Sequence, residues 1–328
     1  MAKCRDVAKA ANVSVATVSY VFTPGKRDLI SPETRERVLA VAADLGYKPS
    51  PIGRSLSNRK TYKIGLLFSR HCQNSISTNQ LHILHSLSQE FASTEYDLSI
   101  FFGWDEKVKN RIKNRALDGI ILSGYLNLNS VPDQIAELGM AMVVVNRRYR
   151  SAPNIGVVDT DYVNDARMLV RRFAAQGKKR IFSITRKNPY SSDGNEIRKG
   201  IMLECETLGL QEIFVSGIDW LRETDYSDAG FIMFAQHLPD EAQFNAVVEA
   251  RPDAREIWNS TIVFSDQVEH RVMGEWRVPN ARQLGKETWN MMQSLLNNEG
   301  SEGGIQLVPS LTMDEYRKLL PPAVSHDF

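Results

Sequence analysis

Three helix-forming stretches are crowded into the first 48 residues, and the breaks between them leave the chain little choice. Val7, Ala8 and Ala11 share one face of a short helix over 6–11, and Asn12-Val13 turns the chain. Ser14 is a good N-cap for a second helix reaching about residue 22. On it Val18 and Val21 point inward, which leaves Val15, Ala16, Ser19 and Tyr20 facing out. Pro24-Gly25 opens a loop carrying Lys26 and Arg27. Ser31-Pro32 starts a third helix, Ser as cap and Pro in the first turn. Val38, Val41, Ala42 and Leu45 then recur at i, i+3, i+4 and i+7. Gly46 ends this helix and Pro49 prevents its resumption. The spacing predicts a small three-helix core whose second helix keeps one side free.

Charge is unevenly spread. Residues 1–60 hold eleven Lys/Arg against five acids, a net +6, which leaves −5 for the rest of a chain whose total is +1. A basic module on an acidic body suits a local polyanion partner; a solvated helical surface has the same composition. Two short helices joined by a tight turn are what a helix-turn-helix needs, with the second entering the major groove. Ser14, Thr17 and Ser19 can bond phosphates, and Val15 and Ala16 are small enough to touch thymine methyls.

The run Asp6-Val7-Ala8, then Val13-Ser14 with Thr17-Val18-Ser19, then Ser31 with Thr34-Arg35 and Val38, then Leu45-Gly46-Tyr47 with Pro49, then Arg54 and Leu56 resembles the lactose-repressor (LacI) family of bacterial transcription regulators. The match covers residues 4–57 closely. It implies DNA contacts from Ser14, Val15, Ala16, Thr17, Ser19, Tyr20, Ser31, Arg54 and Leu56. It also implies a hinge over 50–57 that becomes helical on operator DNA, with Leu56 wedged into the minor groove. Three departures stand out. Tyr20 replaces an arginine that would read guanine through two hydrogen bonds, which a tyrosine by itself cannot do, so the operator should differ at that base pair. Lys3 stands near the usual threonine cap, so the first helix should start weakly. Gly53 replaces an alanine, which lowers helix propensity by roughly 0.8–1 kcal/mol and should make the hinge harder to fold.

From residue 62 the pattern changes to buried strands alternating with amphipathic helices. Strands are expected over 62–68, 98–102, 119–122, 140–145 and 155–158, with helices over 77–92, 107–115 and 131–138 between them. Leu81, Leu84 and Leu87 are the expected apolar positions of the first of these helices. A second series follows: helices over 162–176, 196–208, 228–237 and 281–296, and strands over 180–185, 213–216, 246–249, 261–264 and 305–308. Alternation of this kind implies parallel sheets covered on both faces. Two such units would enclose a cleft, a default ligand site; one large sheet is the alternative.

The resemblance extends loosely to about residue 308 and implies a two-lobed body similar to periplasmic sugar-binding proteins. It places Phe68, Arg70 and His71 after the first strand, Asn146 and Arg147 after the strand over 140–145, and Arg198, Trp220 and Asp266 around an effector. The family's arginine lies three residues before a glycine, whereas Arg198 precedes Gly200 by two. The run Glu249-Ala250-Arg251-Pro252 stands where Asn-Asp is usual. Both departures point to a different ligand, or to none.

No phosphate loop, zinc spacing or nucleophile elbow occurs in the sequence. The six histidines are scattered, and Cys4, Cys72 and Cys205 have no metal or redox spacing. No apolar run approaches the length of a bilayer span. The expected fold is α/β: a helix-turn-helix head over 1–48, a hinge over 49–61 and a two-lobed body over 62–328. The expected protein is cytoplasmic, without cofactor, metal, catalysis or membrane. Its partners are operator DNA, a second copy of itself and a small, sugar-like effector. Two alternatives remain: a regulator with a decayed cleft under the control of a protein partner, and a sugar-binding or sugar-processing protein with a vestigial head.

Overall fold

The computed structural model describes residues 2–23, 25–48, 55, 60–69, 76–123, 131–184, 192–215, 225–234, 249, 261–264, 275–297 and 303–319. The chain divides into two units, Met1–Tyr62 and Lys63–Phe328.

In the first unit, α1 spans Cys4–Ala10, α2 Val15–Val21 and α3 Pro32–Asp44, with a 3-10 turn at Arg27–Leu29. As expected from Lys3, α1 lacks a capping acceptor before its first turn; instead the Asp6 carboxylate accepts from the Lys3 backbone N–H at 2.8 Å. Asn12 closes α1 in the left-handed region (φ 51°), where asparagine is tolerated. Val13 N–H then donates to Ala8 C=O and Asn12 N–H to Lys9 C=O, a Schellman closure. Gly46 (φ 60°) ends α3 in the same way, through Tyr47 to Ala42 and Gly46 to Ala43. Val7, Ala8, Ala11, Val18, Val21, Val38 and Ala42 form the core. Leu45, expected to complete the α3 stripe, is 42% exposed, because the helix has already ended there and Tyr47 turns in instead.

The second unit is two lobes, each built on a six-stranded sheet. In lobe 1 the order is β11-β5-β4-β3-β1-β2, all parallel, formed by β1 (Lys63–Phe68), β2 (Asp97–Phe102), β3 (Gly119–Ser123), β4 (Ala141–Val145), β5 (Ile155–Thr160) and β11 (Ile305–Val308). Helices α4 (Thr78–Ala92) and α9 (Ala281–Asn297) cover one face, while α5 (Glu106–Lys113) and α6 (Val131–Glu137) cover the other. α4 buries Ile83, Leu87 and Phe91, and Leu81 is 47% exposed, against expectation. The face is set by α9: a side chain at Gly285 would strike Ser86, so that side of α4 is the one pressed inward.

Lobe 2 has the order β12-β10-β9-β8-β6-β7. Its strands are β6 (Arg180–Ile184), β7 (Gln211–Val215), β8 (Ala229–Phe234), β9 (Ile262–Phe264), β10 (Glu275–Val278) and the antiparallel β12 (Leu311–Thr312). α7 (Tyr162–Ala175) and α8 (Ser192–Leu208) pack against this sheet, and α10 (Met313–Leu319) follows β12. Within 228–237, expected as a helix, Ala229–Phe234 form β8 instead. Ala229 to Phe234 is apolar at every position, which suits a central parallel strand buried on both faces. β10, β12 and α10 were not foreseen. The expected strand over 246–249 lies outside the described residues, apart from Glu249.

The chain passes between lobes from β5 into α7, from β10 into α9, and from β11 into β12. Hydrogen bonds gather at these crossings: Asp161 N–H donates to Val308 C=O at 2.8 Å. The buried Asp165 carboxylate accepts from Ser310 N–H at 2.8 Å.

Candidate nucleic-acid interface and inter-lobe groove

Ser14 positions α2. Its Oγ accepts from Thr17 N–H at 3.0 Å and lies 2.9 Å from the Thr17 hydroxyl. Val18 and Val21 anchor the helix in the core, which presents Val15, Ala16 and Tyr20 to solvent with Ser19 half-buried beside them. Val15 is 45% exposed and Tyr20 37%. Arg37 Nε donates to Ala11 C=O at 3.2 Å, tying α3 to the end of α1 with a cation at its negative pole. Ser31 caps α3, accepting from Thr34 N–H, and remains exposed.

In the body, the carboxyl ends of the lobe 1 strands carry polar groups. Ser69, Ser123, Asn146 and Thr160 end or follow β1, β3, β4 and β5. Asn146 sits at φ 54°, and its Oδ1 accepts from the Thr160 hydroxyl at 3.2 Å. Ser123 Oγ and, at the start of α4, Asn79 Nδ2 are buried without a hydrogen-bond partner among the described residues. Such groups suit a polar ligand, since leaving them dry and unpaired costs about 1–3 kcal/mol each.

Arg148 joins the lobes. Its Nη2 donates to Glu196 Oε2 on α8 at 3.2 Å, and its Nε lies 3.9 Å from Asp159 Oδ2 on β5. Asp159 is 2% exposed; burial first, and Asp193 second, push its carboxyl up to about 7, while Arg148 pulls it down. An open groove of about 510 Å³ lies here, lined by Arg148, Asp161, Asn164, Arg167, Glu196 and Lys199 among others. A second link joins His82 Nδ1 on α4 to the Tyr316 hydroxyl on α10 at 3.1 Å. Burial and the neighbouring His85 lower the pKa of His82.

Residues 3–50 match the model of the bacterial regulatory proteins, lacI family. Over those residues the head resembles that family. The ribose operon repressor of Halalkalibacterium halodurans is 29% identical over 325 residues, which is 96% of this chain and 85% of that protein. The sucrose operon repressor of Klebsiella pneumoniae is 31% identical over 176 residues, about half of each chain (52% and 52%). The lac repressor dimer bound to operator and the anti-inducer ONPF shares the fold, with a TM-score of 0.56 at 15% identity over 95% of this chain and 97% of that one.

Against the lacI pattern, the exposed α2 face brings Val15, Ala16, Ser19 and Tyr20 together, beside Ser14 and Thr17 at the cap. Arg54 and Leu56 lie outside the described residues, as do Arg70, His71, Trp220 and Asp266. Phe68 is fully buried and stacks on Phe102 at 5.6 Å, so it offers no surface to an effector. Arg198 donates to Glu212 at 3.1 Å and lies 4.2 Å from the Phe214 ring, directed at β7. The position three before Gly200, where the lacI arginine stands, is Ile197, fully buried in the lobe 2 core. Gly200 itself has a packing role, because a Cβ there would come within 2.3 Å of Val163 O on α7. Arg147 is half-buried beside the groove-lining Arg148. Sequence reasoning missed Arg148, Asp159 and Glu196. Their signal was weak, since a charged residue after a strand is ordinary and only folding brings these three into one place.

Proposed function

We propose that this protein is a sequence-specific DNA-binding transcription regulator, a repressor whose head reads a pseudo-palindromic operator and whose body takes a small ligand. The observation that carries this reading is the free face of α2, aimed by the Ser14 cap in a basic lacI-type head. A helix so presented enters the major groove, with Val15 and Ala16 on base edges and Ser14 and Thr17 on phosphates. Arg54 and Leu56 complete the contact from the hinge. Two half-sites imply a homodimer with heads about one helical turn apart, and the protein acts in the cytoplasm, where its operator is.

Ribose and sucrose operon repressors among the relatives favour a saccharide or a derivative of one as the ligand. Neutral polar groups at Ser69, Asn79, Ser123, Asn146 and Thr160 support hydroxyl recognition. Such a ligand shifts DNA binding only by its differential affinity for the two lobe arrangements, with the Arg148–Glu196 and His82–Tyr316 links reporting the change.

The buried Phe68 and the engaged Arg198 favour a second reading, in which the cleft no longer takes a sugar and a protein partner controls the regulator. The test is enrichment of random duplexes on purified protein, followed by a screen of saccharides for release. A palindrome lost with Leu56→Ala supports the DNA reading, and release by a sugar supports the first form of control. Salt-insensitive binding with no enriched sequence would remove the regulator reading altogether.

A further inference from the structure

Tyr20 and Lys26 are brought together by the fold although a turn separates them. The Thr23 hydroxyl donates to Ser19 C=O at 2.8 Å, and Thr23 N–H donates to Tyr20 C=O at 3.1 Å. Thr23 C=O in turn accepts from Lys26 and Arg27 N–H at 3.1 and 3.2 Å. Thr23 is 6% exposed, so this small knot is held inside the head. Gly25, at φ 77°, supplies the left-handed step that folds the loop back over α2. As a result the Lys26 ammonium lies 5.3 Å from the centroid of the Tyr20 ring. Tyr20 remains exposed, one turn along α2 from Ala16 and on the same face.

An ammonium over an aromatic face is attracted to it and loses much of its conformational freedom before any ligand arrives. Arginine reads guanine with two parallel donors from one side chain. Tyrosine alone has one O–H, but the phenol and a seated ammonium together present two donors. We propose that Tyr20 and Lys26 form a composite reading unit in which the tyrosine hydroxyl and the lysine ammonium recognise O6 and N7 of a single guanine in each half-site. Lys26 is thereby a specificity residue rather than one more phosphate contact. The inference rests on the DNA-reading function proposed above.

The experiment is enrichment of random duplexes on the full-length protein and on Lys26→Met, Tyr20→Phe and the double variant, with affinities measured for every base at the selected position. Tyr20→Phe keeps the ring and removes only the hydroxyl; Lys26→Met keeps length and removes only the charge. Wild type should require guanine at one position per half-site. Each single variant should lose about tenfold of that discrimination, at the same position, and the double variant should lose little more than either single one. Three outcomes overturn the pair while leaving the regulator intact: the two variants alter different positions, neither alters base preference, or Lys26→Met weakens all sequences equally with a shallower salt dependence. A wild-type protein that enriches no sequence would overturn the regulator reading, and the pair with it.

Discussion

The head and the body place their functional groups by different means. In the head, the exposed reading face lies within seven residues of the Ser14 cap that aims it, and the turn that shapes it is closed by neighbouring backbone groups. In the body, the linked groups are far apart along the chain: Arg148 and Glu196 by 48 residues, Asp165 and Ser310 by 145, His82 and Tyr316 by 234. A surface set by caps and turns is robust to changes elsewhere, whereas one set at lobe crossings responds to anything that moves a lobe. That is the division of labour a ligand-controlled DNA reader needs.

If head and body fold as separate units, destroying one should leave the other intact. Val18 is fully buried in the head. Val18→Asp places an unpaired carboxylate in that core and should cost more than about 3 kcal/mol. Operator binding should vanish while the thermal transition of the body stays unchanged by calorimetry; a shifted body transition would mean the units do not fold separately.

The next effect belongs to the body and to pH. Asp159 has a folded pKa of about 7, above the ordinary carboxylate value, because burial and Asp193 outweigh Arg148. Between those two values the folded body holds a proton that the unfolded chain has released. The stability linked to that proton is therefore full at low pH and is lost as pH rises through about 7. Burial also raises Asp165, which adds a contribution of the same sign. Asp159→Asn should raise urea resistance at pH 8 by the order of a few kcal/mol and flatten, without abolishing, the slope between pH 5 and 8. An unchanged slope would contradict the buried placement of this carboxyl.

Gly200→Ala drives a Cβ toward Val163 O across the α7–α8 crossing. The body should lose about 1–3 kcal/mol in denaturant titrations while the head keeps its own transition. Ser14→Ala removes the α2 cap and should cost the head about 1 kcal/mol. Its effect on operator affinity should exceed its effect on body stability, which should be nil. The smallest change is at Gly53, which lies outside the described residues. Gly53→Ala should tighten operator binding by no more than about fivefold, the equivalent of roughly 0.8–1 kcal/mol of helix propensity; unchanged affinity in a binding titration would show that hinge folding does not limit the complex.

Sequence reasoning succeeded where a rule acts over a few residues. Ser14, Ser31 and Gly46 end or begin helices where they were read to, since capping depends on backbone groups three or four positions away. Strands β1 to β5 were legible one by one, because each run there ends in a marked break, whereas β11 and α9, read with the second series, belong to lobe 1 because the chain crosses back to it. The reading failed at 228–237, where an apolar run fits a buried strand or a buried helix equally and only its neighbours β6 and β9 decide. It failed at Leu81, because α9 chooses which side of α4 is inward. Phe68 and Arg198 show the same limit at the candidate site: the residue type suits a ligand, but the packing around it gives the side chain to the core or to Glu212.

Local sequence was enough to specify a basic three-helix head with one free helical face and a body of alternating strands and helices. Those features follow from local propensity, capping and the period of apolar residues. It took the folded chain to lay Lys26 on Tyr20, to turn Arg198 to Glu212 and Phe214 while Ile197 fills the lobe 2 core, and to bring Arg148, Asp159 and Glu196 together. Each of these depends on which side of an element is buried and on where the chain returns. Those choices are made by the whole core at once, so no stretch of sequence encodes them alone.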